Sequence, residues 1–161
     1  RDELWITDGE KVWGEKKDGS LLTPKLSHKN DFNKMTIVTS KNHKNKVLKT
    51  LVEKIHFNEE ITMGSIGCKI ASIIRGESDI YISLNLPGKG SPKDWDFAAP
   101  EAILKAAGGL ITTIDSKELS YGEKDYEQGG IIIASNDRLT HSSKVLRIKE
   151  IIRNYNICPT L

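Results

Sequence analysis

Residues 93–109 read KDWDFAAPEAILKAAGG and predict a loop that leads into a helix. Asp96 is the predicted N-cap, because an Asp side-chain oxygen accepts a backbone N–H that has no partner within the helix. Pro100 is expected in the first turn, where its missing N–H does no harm. Gly108 and Gly109 are expected to end the helix. Taken alone, Asp96 is therefore most simply a helix cap.

One face of this helix carries small and apolar side chains at helical spacing, which predicts close packing on a neighbouring sheet. These residues are Ala99, Ala102, Ile103 and Ala106. The segment that follows the glycines, residues 110–114, is rich in β-branched side chains and predicts a strand. The run therefore has the helix-then-strand order of an α/β protein.

The chain has 161 residues, which is enough for one domain with a core. Its formal net charge of +2 and its 6% aromatic residues do not indicate nucleic-acid binding. Cys68 and Cys158 lie far apart and form no Cys-x-x-Cys motif, which fits a reducing compartment. The sequence shows no signal peptide and no apolar run of membrane-spanning length. We therefore expect a cytoplasmic protein with no membrane or nucleic-acid partner.

The remaining chain alternates predicted strands and helices. Asp8-Gly9 favours a tight hairpin turn within residues 4–14. Further strands are expected at 35–40, 79–84 and 130–135, and helices at about 47–55, 69–74 and 137–152. In the last helix the expected core residues are Leu139, Val145, Leu146, Ile148, Ile151 and Ile152. This order predicts a layered α/β domain, a sheet flanked by helices.

Two strand-to-helix turns carry side chains that suit an anion, because backbone N–H groups at a helix start favour negative charge. Ser40 and His43 lie at the first turn, and Ser65 and Lys69 lie in the glycine-rich segment GSIGCK of the second. From spacing alone, the polar residues of the first turn are as well explained as caps. The glycines of the second turn are equally explained as turn residues.

The run from Trp95 to Gly109 closely resembles a signature of the lithium-sensitive, magnesium-dependent phosphatases. That superfamily contains the inositol monophosphatases and the 3'(2'),5'-bisphosphate nucleotidases. The resemblance implies that Asp96 is a ligand of Mg²⁺ and contacts substrate. It also implies that the chain has the α/β fold of the C-terminal domain of these enzymes.

The segment TSKNH, which begins at Thr39, resembles a Ser-Arg-Ser-His motif of the bisphosphate nucleotidases, with Lys and Asn in place of Arg and the second Ser. This resemblance implies that Ser40 and His43 contact a bound nucleotide, and Ser65 and Lys69 take the same role by their position. The implied substrate is 3'-phosphoadenosine 5'-phosphate, which would lose its 3'-phosphate to give AMP. Lys89 and Lys93, in the loop before Asp96, favour a strongly anionic substrate.

The Asp-Pro-x-Asp-Gly-Thr motif of the family, which helps to activate water, is not found in this sequence. We therefore expect no catalytic residue here and a fragment that is inactive alone, with a missing N-terminal domain as its partner. Residues 1–33 are interpreted as a hairpin and crossover left from that domain, and residues 34–161 as the C-terminal α/β domain. The family also allows a homodimer.

Two other functions remain open. The chain can belong to an inositol monophosphatase or to a sugar-phosphate phosphatase of broad specificity. It can also be a nucleotide-binding fragment without catalysis.

Overall fold

The computed structural model describes residues 2–41, 46–85 and 90–157. A small antiparallel sheet comes first, with the order β1 (Glu3–Thr7), β2 (Val12–Lys16) and β3 (Leu21–Leu22). The main sheet contains β4 (Thr36–Ser40), β5 (Glu59–Met63), β6 (Ile80–Asn85), β7 (Leu110–Thr113) and β8 (Gly130–Ser135). The helices are α1 (Lys46–Ile55), α2 (Ile66–Ile74), α3 (Asp94–Ala107) and α4 (Arg138–Asn154), with short 3-10 helices at Phe32–Lys34 and Lys124–Tyr126.

The main sheet is mixed, with the strand order β5-β4-β6-β8-β7. Strand β4 runs parallel to both β5 and β6, whereas β8 runs antiparallel to β6 and β7. The carboxyl ends of β4, β5 and β6 therefore meet at one edge of the sheet. Within the described ranges, no helix combines the length and apolar character that crossing a bilayer requires.

Helices cover both faces of the sheet, and the three central strands β4, β6 and β8 contribute to two cores by alternation. In β6, Ile80 and Ile82 pack with α1 and α4, whereas Tyr81 between them packs with α2 and α3. In β8, Ile133 and Ala134 divide in the same way. The predicted layered α/β fold is confirmed.

The apolar face predicted for α1 is buried, but the prediction for α4 was partly wrong. Leu139 is 88% exposed and Leu146 59% exposed. Val145 and Ile148 are buried as predicted, and the other buried residues of α4 are His141 and Lys144. Burial of these two basic residues is tolerated because both form side-chain hydrogen bonds.

Helix α3 starts earlier than its proline predicts. Lys93 is the N-cap, and Asp96 is the third helical residue rather than the cap. The Asp96 Oδ2 atom accepts the backbone N–H of Lys93 at 2.9 Å, so this carboxylate still supports the helix start from within the first turn. Pro100 lies in the second turn and has no N–H to donate to the Asp96 carbonyl.

The buried face of α3 also differs from the predicted stripe. Phe97, Glu101 and Leu104 are buried, whereas Ala99 and Ala102 are exposed. The large apolar groups fill the space against the sheet better than alanines do, and the Glu101 carboxylate is satisfied by Tyr121 and by Lys105, whose Nζ lies 2.8 Å away.

The predicted end of α3 is confirmed. Gly108 caps the helix with φ 104°, a left-handed conformation that favours glycine. At Gly109 a Cβ atom would lie 2.5 Å from the Ser135 carbonyl oxygen, so only glycine allows this approach of the backbone to β8.

Strand β5 was missed by the sequence analysis. It is an edge strand that pairs only with β4, and three of its five residues are exposed. Glu59 and Glu60 open it, and Glu60 Oε1 accepts the Thr39 hydroxyl at 2.7 Å. Charged residues on an edge strand oppose pairing with other chains, and they also hide the strand from a hydrophobicity pattern.

The predicted hairpin is present and is docked on the main domain. Asp8 Oδ1 accepts the N–H groups of Glu10 and Lys11 in its turn. Trp5 packs against the core beneath α2 and α3, and Glu3 forms an ion pair with Arg75 just after α2. The division of the chain at residue 33 stays a prediction.

Candidate anion and metal site

A cavity of about 290 Å³ opens at the edge of the sheet where parallel strands end and where α2 and α3 begin. Its polar lining includes Ser65, Lys69, Tyr81, Ser83, Asn85 and Asp96. Strand carboxyl ends and helix N-termini are where α/β proteins bind anions, because the helix dipole and unpaired N–H groups point to the same place. Three of the predicted site residues, Ser65, Lys69 and Asp96, thus line one cavity.

Lys69 is the buried cation of this cavity. Only 2% of its surface is exposed, and its Nζ donates to the Gly64 carbonyl oxygen at 3.1 Å. The same Nζ lies 5.0 Å from the centroid of the Tyr81 ring. Burial lowers the pKa of Lys69, and the nearby Cys68 and Asp96 side chains oppose that effect. Among the residues that the structure describes, no carboxylate comes within the 4.0 Å of an ion pair with this Nζ.

Ser65 caps α2. Its Oγ accepts the backbone N–H of Cys68 at 3.0 Å. This cap, which the sequence analysis did not predict, leaves the hydroxyl proton available to donate to a phosphate oxygen. Ser65 is exposed at the mouth of the cavity, so both roles are compatible.

Asp96 is exposed on the opposite side of the cavity, at the start of α3. One carboxylate oxygen accepts the Lys93 N–H, and a carboxylate has further lone pairs for a cation. Mg²⁺ in proteins typically takes one or two carboxylates together with water and phosphate oxygens, and Asp96 fits as one such ligand. In residues 2–41, 46–85 and 90–157, no group of three His, Cys, Asp or Glu residues is arranged to hold a metal. Asp96 is thus at most one member of a larger ligand set.

Ser40 ends β4 beside the cavity. Burial raises the pKa of the Tyr81 phenol, and the nearby hydroxyls of Ser83 and Ser40 oppose that effect. His43, the other predicted residue of this turn, lies outside the described residues, as do Lys89 and Cys158. The structure thus brings Ser40 to the edge of the site through Tyr81.

Tyr81, Ser83 and Asn85 line the cavity and were not identified from the sequence. Asn85 Nδ2 donates to Ser83 Oγ at 2.7 Å, so the polar side chains support one another. A signal was available, since these residues occupy alternate positions of one strand and so share a face. Polar groups on one face of an otherwise apolar strand, next to its carboxyl end, indicate a site there.

Lys93 does not line the cavity, contrary to the role suggested by its loop. Its Nζ donates to the Asp125 carbonyl at 2.9 Å and pairs with Glu127 Oε1 at 3.1 Å. The neighbouring Asp94 is buried, and it accepts the Gly122 N–H and the Gln128 amide at 2.6 Å each. These two residues hold the loop of residues 120–128 against the start of α3.

A buried lysine, hydroxyls and a carboxylate surround two helix N-termini in this α/β domain, an arrangement that suits an anion such as phosphate. The chain belongs to the inositol monophosphatase family, whose model matches residues 4–152. This finding confirms the resemblance found in the sequence.

The relatives include both substrate classes of the family. The 3'(2'),5'-bisphosphate nucleotidase 1 of Rattus norvegicus is 31% identical over 70% of this chain and 36% of its own length. Inositol monophosphatase 3 of Danio rerio is 29% identical over 87% of this chain and 40% of its own length. The chain thus spans about two fifths of the length of these relatives.

A solved structure, that of CysQ from Bacteroides thetaiotaomicron, has a TM-score of 0.66 and 22% identity. The match covers 84% of this chain and 55% of that one. At this identity it shows the fold, which agrees with the family match.

Proposed function

We propose that this chain is part of a magnesium-dependent phosphatase that releases the 3'-phosphate of 3'-phosphoadenosine 5'-phosphate to give AMP. The observation that carries the proposal is the meeting of Ser65, Lys69 and Asp96 at one cavity. The nucleotidase relatives support the choice of substrate, and we propose a cytoplasmic location, as expected from the cysteines.

Each residue has a role in this proposal. Lys69 and Ser65 hold the phosphate group together with the N–H groups at the start of α2. Ser40 and His43 contact the nucleotide at the neighbouring turn. Asp96 is one ligand of Mg²⁺, which when bound activates water and stabilises charge on the leaving oxygen.

The rest of the site comes from a further part of the protein in this proposal. A groove of about 570 Å³ lies next to the cavity and shares Gly64 with it. Trp5, Met63, Ile70 and Ile103 are among its lining residues, and this lining is largely apolar. We propose that the N-terminal domain covers this groove and supplies the remaining metal ligands and the residue that activates water. The length of the relatives supports this arrangement.

An inositol phosphate is the second candidate substrate. It is favoured by the inositol monophosphatase 3 relative, whose match covers more of this chain than the nucleotidase match does. Both substrates present a phosphate monoester to the same cavity. The choice between them depends on the residues that surround the nucleoside or the inositol ring.

The test is phosphate release from 3'-phosphoadenosine 5'-phosphate and from inositol 1-phosphate, each with and without Mg²⁺. The 161-residue chain is compared with the longest protein that its gene encodes, and Lys69→Met serves as the inactive reference. We expect magnesium-dependent release from the nucleotide by the longer protein only. Faster release from inositol 1-phosphate would favour the second candidate. Binding of the nucleotide without release by either protein would instead identify a binding module.

A further inference from the structure

The Lys69 ammonium is buried in an unusual way. Taking a charge out of water is costly unless partners compensate, and buried lysines are usually paired with carboxylates. The partners of Lys69 Nζ in the structure are instead one backbone carbonyl, at 3.1 Å, and the Tyr81 ring, at 5.0 Å. Neither partner carries a negative charge, so no anion in direct contact offsets the charge of the ammonium.

The Tyr81 ring is fixed for this contact. Tyr81 is 2% exposed on the central strand β6, between Ile80 and Ile82, which are fully buried on the opposite face. Burial raises the pKa of the phenol, which keeps it neutral, and the nearby Ser83 and Ser40 hydroxyls oppose that effect. A cation over an aromatic face gains more where it is shielded from water, and only 2% of the surface of Lys69 is exposed.

A ring holds a cation differently from a carboxylate. A carboxylate beside Lys69 would neutralise it and would compete with phosphate for the ammonium, whereas a ring offers only its quadrupole. The ring therefore stabilises the cation without occupying the position of an anionic ligand.

We propose that Tyr81 is a positioning residue that holds the Lys69 ammonium in the cavity, ready to pair with the phosphate of the substrate. This inference rests on the proposed function, because it assigns Lys69 to the phosphate.

The experiment measures binding of inorganic phosphate by calorimetry to the longest protein that the gene encodes, for the wild type, Lys69→Met, Tyr81→Leu, Tyr81→Phe and the double variant Lys69→Met/Tyr81→Leu. The matched control is Tyr155→Leu, because Lys54 Nζ lies 4.7 Å from the Tyr155 ring on the surface, away from the cavity. Thermal melting of every variant reports whether it is folded.

Tyr81→Leu is expected to weaken phosphate binding about tenfold, as loss of a desolvated cation–π contact implies. Tyr81→Phe keeps the ring and is expected to stay within about threefold of the wild type. The double variant should bind no more weakly than Lys69→Met alone, because Tyr81 acts through Lys69. Tyr155→Leu should bind as the wild type does.

A spectroscopic measurement separates positioning from general stability. The Lys69 ε-methylene protons should show an upfield ring-current shift in the wild type and in Tyr81→Phe, and lose it in Tyr81→Leu. This measurement does not require that Tyr81→Leu bind phosphate.

Two results overturn different claims. If Lys69→Met weakens phosphate binding but Tyr81→Leu does not, the role of Tyr81 is wrong and the phosphate cavity stands. If Lys69→Met itself leaves binding unchanged, the proposed phosphate site is wrong. Additive effects in the double variant would also overturn the inference, since Tyr81 would then act independently of Lys69.

Discussion

Two lysines, Lys69 and Lys144, are buried to the same extent, 2% exposed, at opposite ends of the main sheet. Lys144 Nζ donates to Asn136 Oδ1 at 2.9 Å and to Thr140 Oγ1 at 2.7 Å, and both acceptors are neutral side chains committed to it. Lys69 Nζ has a carbonyl at 3.1 Å and a ring, and beside it lies an open cavity. Burial lowers the pKa of both lysines. What separates them is therefore the surroundings and not the burial.

The network around Lys144 continues into the backbone. Asn136 Nδ2 donates to the Ser27 carbonyl at 2.9 Å, and Asp79 Oδ2 accepts the Thr36 N–H at 2.7 Å and pairs with Lys29. These bonds fasten the segment before β4 to the sheet. At one end of the sheet the buried charge is thus held by structural hydrogen bonds, whereas at the other end the buried charge borders an open cavity.

The largest expected effect distinguishes two carboxylates, one near each end of the sheet. Asp96 and Asp137 each accept a backbone N–H at 2.9 Å at a helix start. In the form of the protein that shows turnover, Asp96→Ala should reduce turnover by more than about 100-fold. Substitution of residues that only support a metal ligand already reduces activity roughly 10–100-fold, and the ligand itself should matter more. Asp137→Ala should leave turnover unchanged and cost about 1 kcal/mol of stability through the lost cap.

Steady-state kinetics and thermal melting of the two variants provide the measurement. Equal turnover in the two variants would remove Asp96 from the metal site and would make it a helix-supporting residue only.

The next effect concerns stability and compares Lys144→Met with Lys69→Met. Loss of Lys144 leaves buried acceptors on Asn136 and Thr140 without their donor, so we expect a loss of about 2–3 kcal/mol and a fall in Tm of roughly 5–10 °C. Lys69→Met removes a desolvated charge that has few partners, so stability should change by less than about 1 kcal/mol.

Chemical denaturation followed by circular dichroism measures both values. The contrast between the two lysines fails if Lys69→Met destabilises the chain as strongly as Lys144→Met does.

The sequence predicts the strands and helices that carry Lys69 and Lys144, but it does not predict that the surroundings of the two lysines differ. The strands around Ile82 and Ile133 follow from runs of β-branched residues, and Gly108 marks the end of α3 correctly. The motif resemblance selected Ser65, Lys69 and Asp96. It did so without showing that a cavity joins them.

What the sequence could not show depends on tertiary contacts. Lysine is normally a surface residue, so no pattern predicts that Lys69 and Lys144 are buried. The start of α3 was placed too late because Pro100 usually marks a first turn, whereas here bonds to Asp94 and Asp96 support an earlier start. Tyr81 could not be identified from the sequence because the ring and Lys69 approach only in the folded chain.

The pH dependence of stability tests the end of the sheet that contains Lys144. His141 is fully buried between Thr112 Oγ1 and Ser135 Oγ, each 2.8 Å from a ring nitrogen. Burial, and then the charge of Lys144, lower its pKa from 6.5 to about 4. Between these values the unfolded chain binds a proton that the folded chain does not bind. Stability should therefore fall as the pH drops from about 6.5 to about 4, by about 3 kcal/mol from this residue.

Denaturation curves at several pH values for the wild type and His141→Gln isolate this contribution, because carboxylates titrate equally in both. His28→Gln, at an exposed histidine, is the control and should follow the wild type. A wild-type curve parallel to that of His141→Gln from pH 6.5 to 4 would show that the buried imidazole gains its proton without cost.

The smallest expected effect concerns Lys93, which lies next to the site in sequence but is engaged elsewhere. Its ammonium is committed to Glu127 and to the Asp125 carbonyl, so Lys93→Ala should weaken phosphate binding by less than about twofold and cost less than about 1 kcal/mol. Lys105→Ala, which removes ion pairs to Glu101 and Glu118 farther along α3, is the matched control. If Lys93→Ala weakened binding as much as Lys69→Met, then charge near the cavity mouth would matter as much as the buried charge. The cavity would then attract phosphate through the combined electrostatic field of the surrounding charges, and not through one cation held in place by Tyr81.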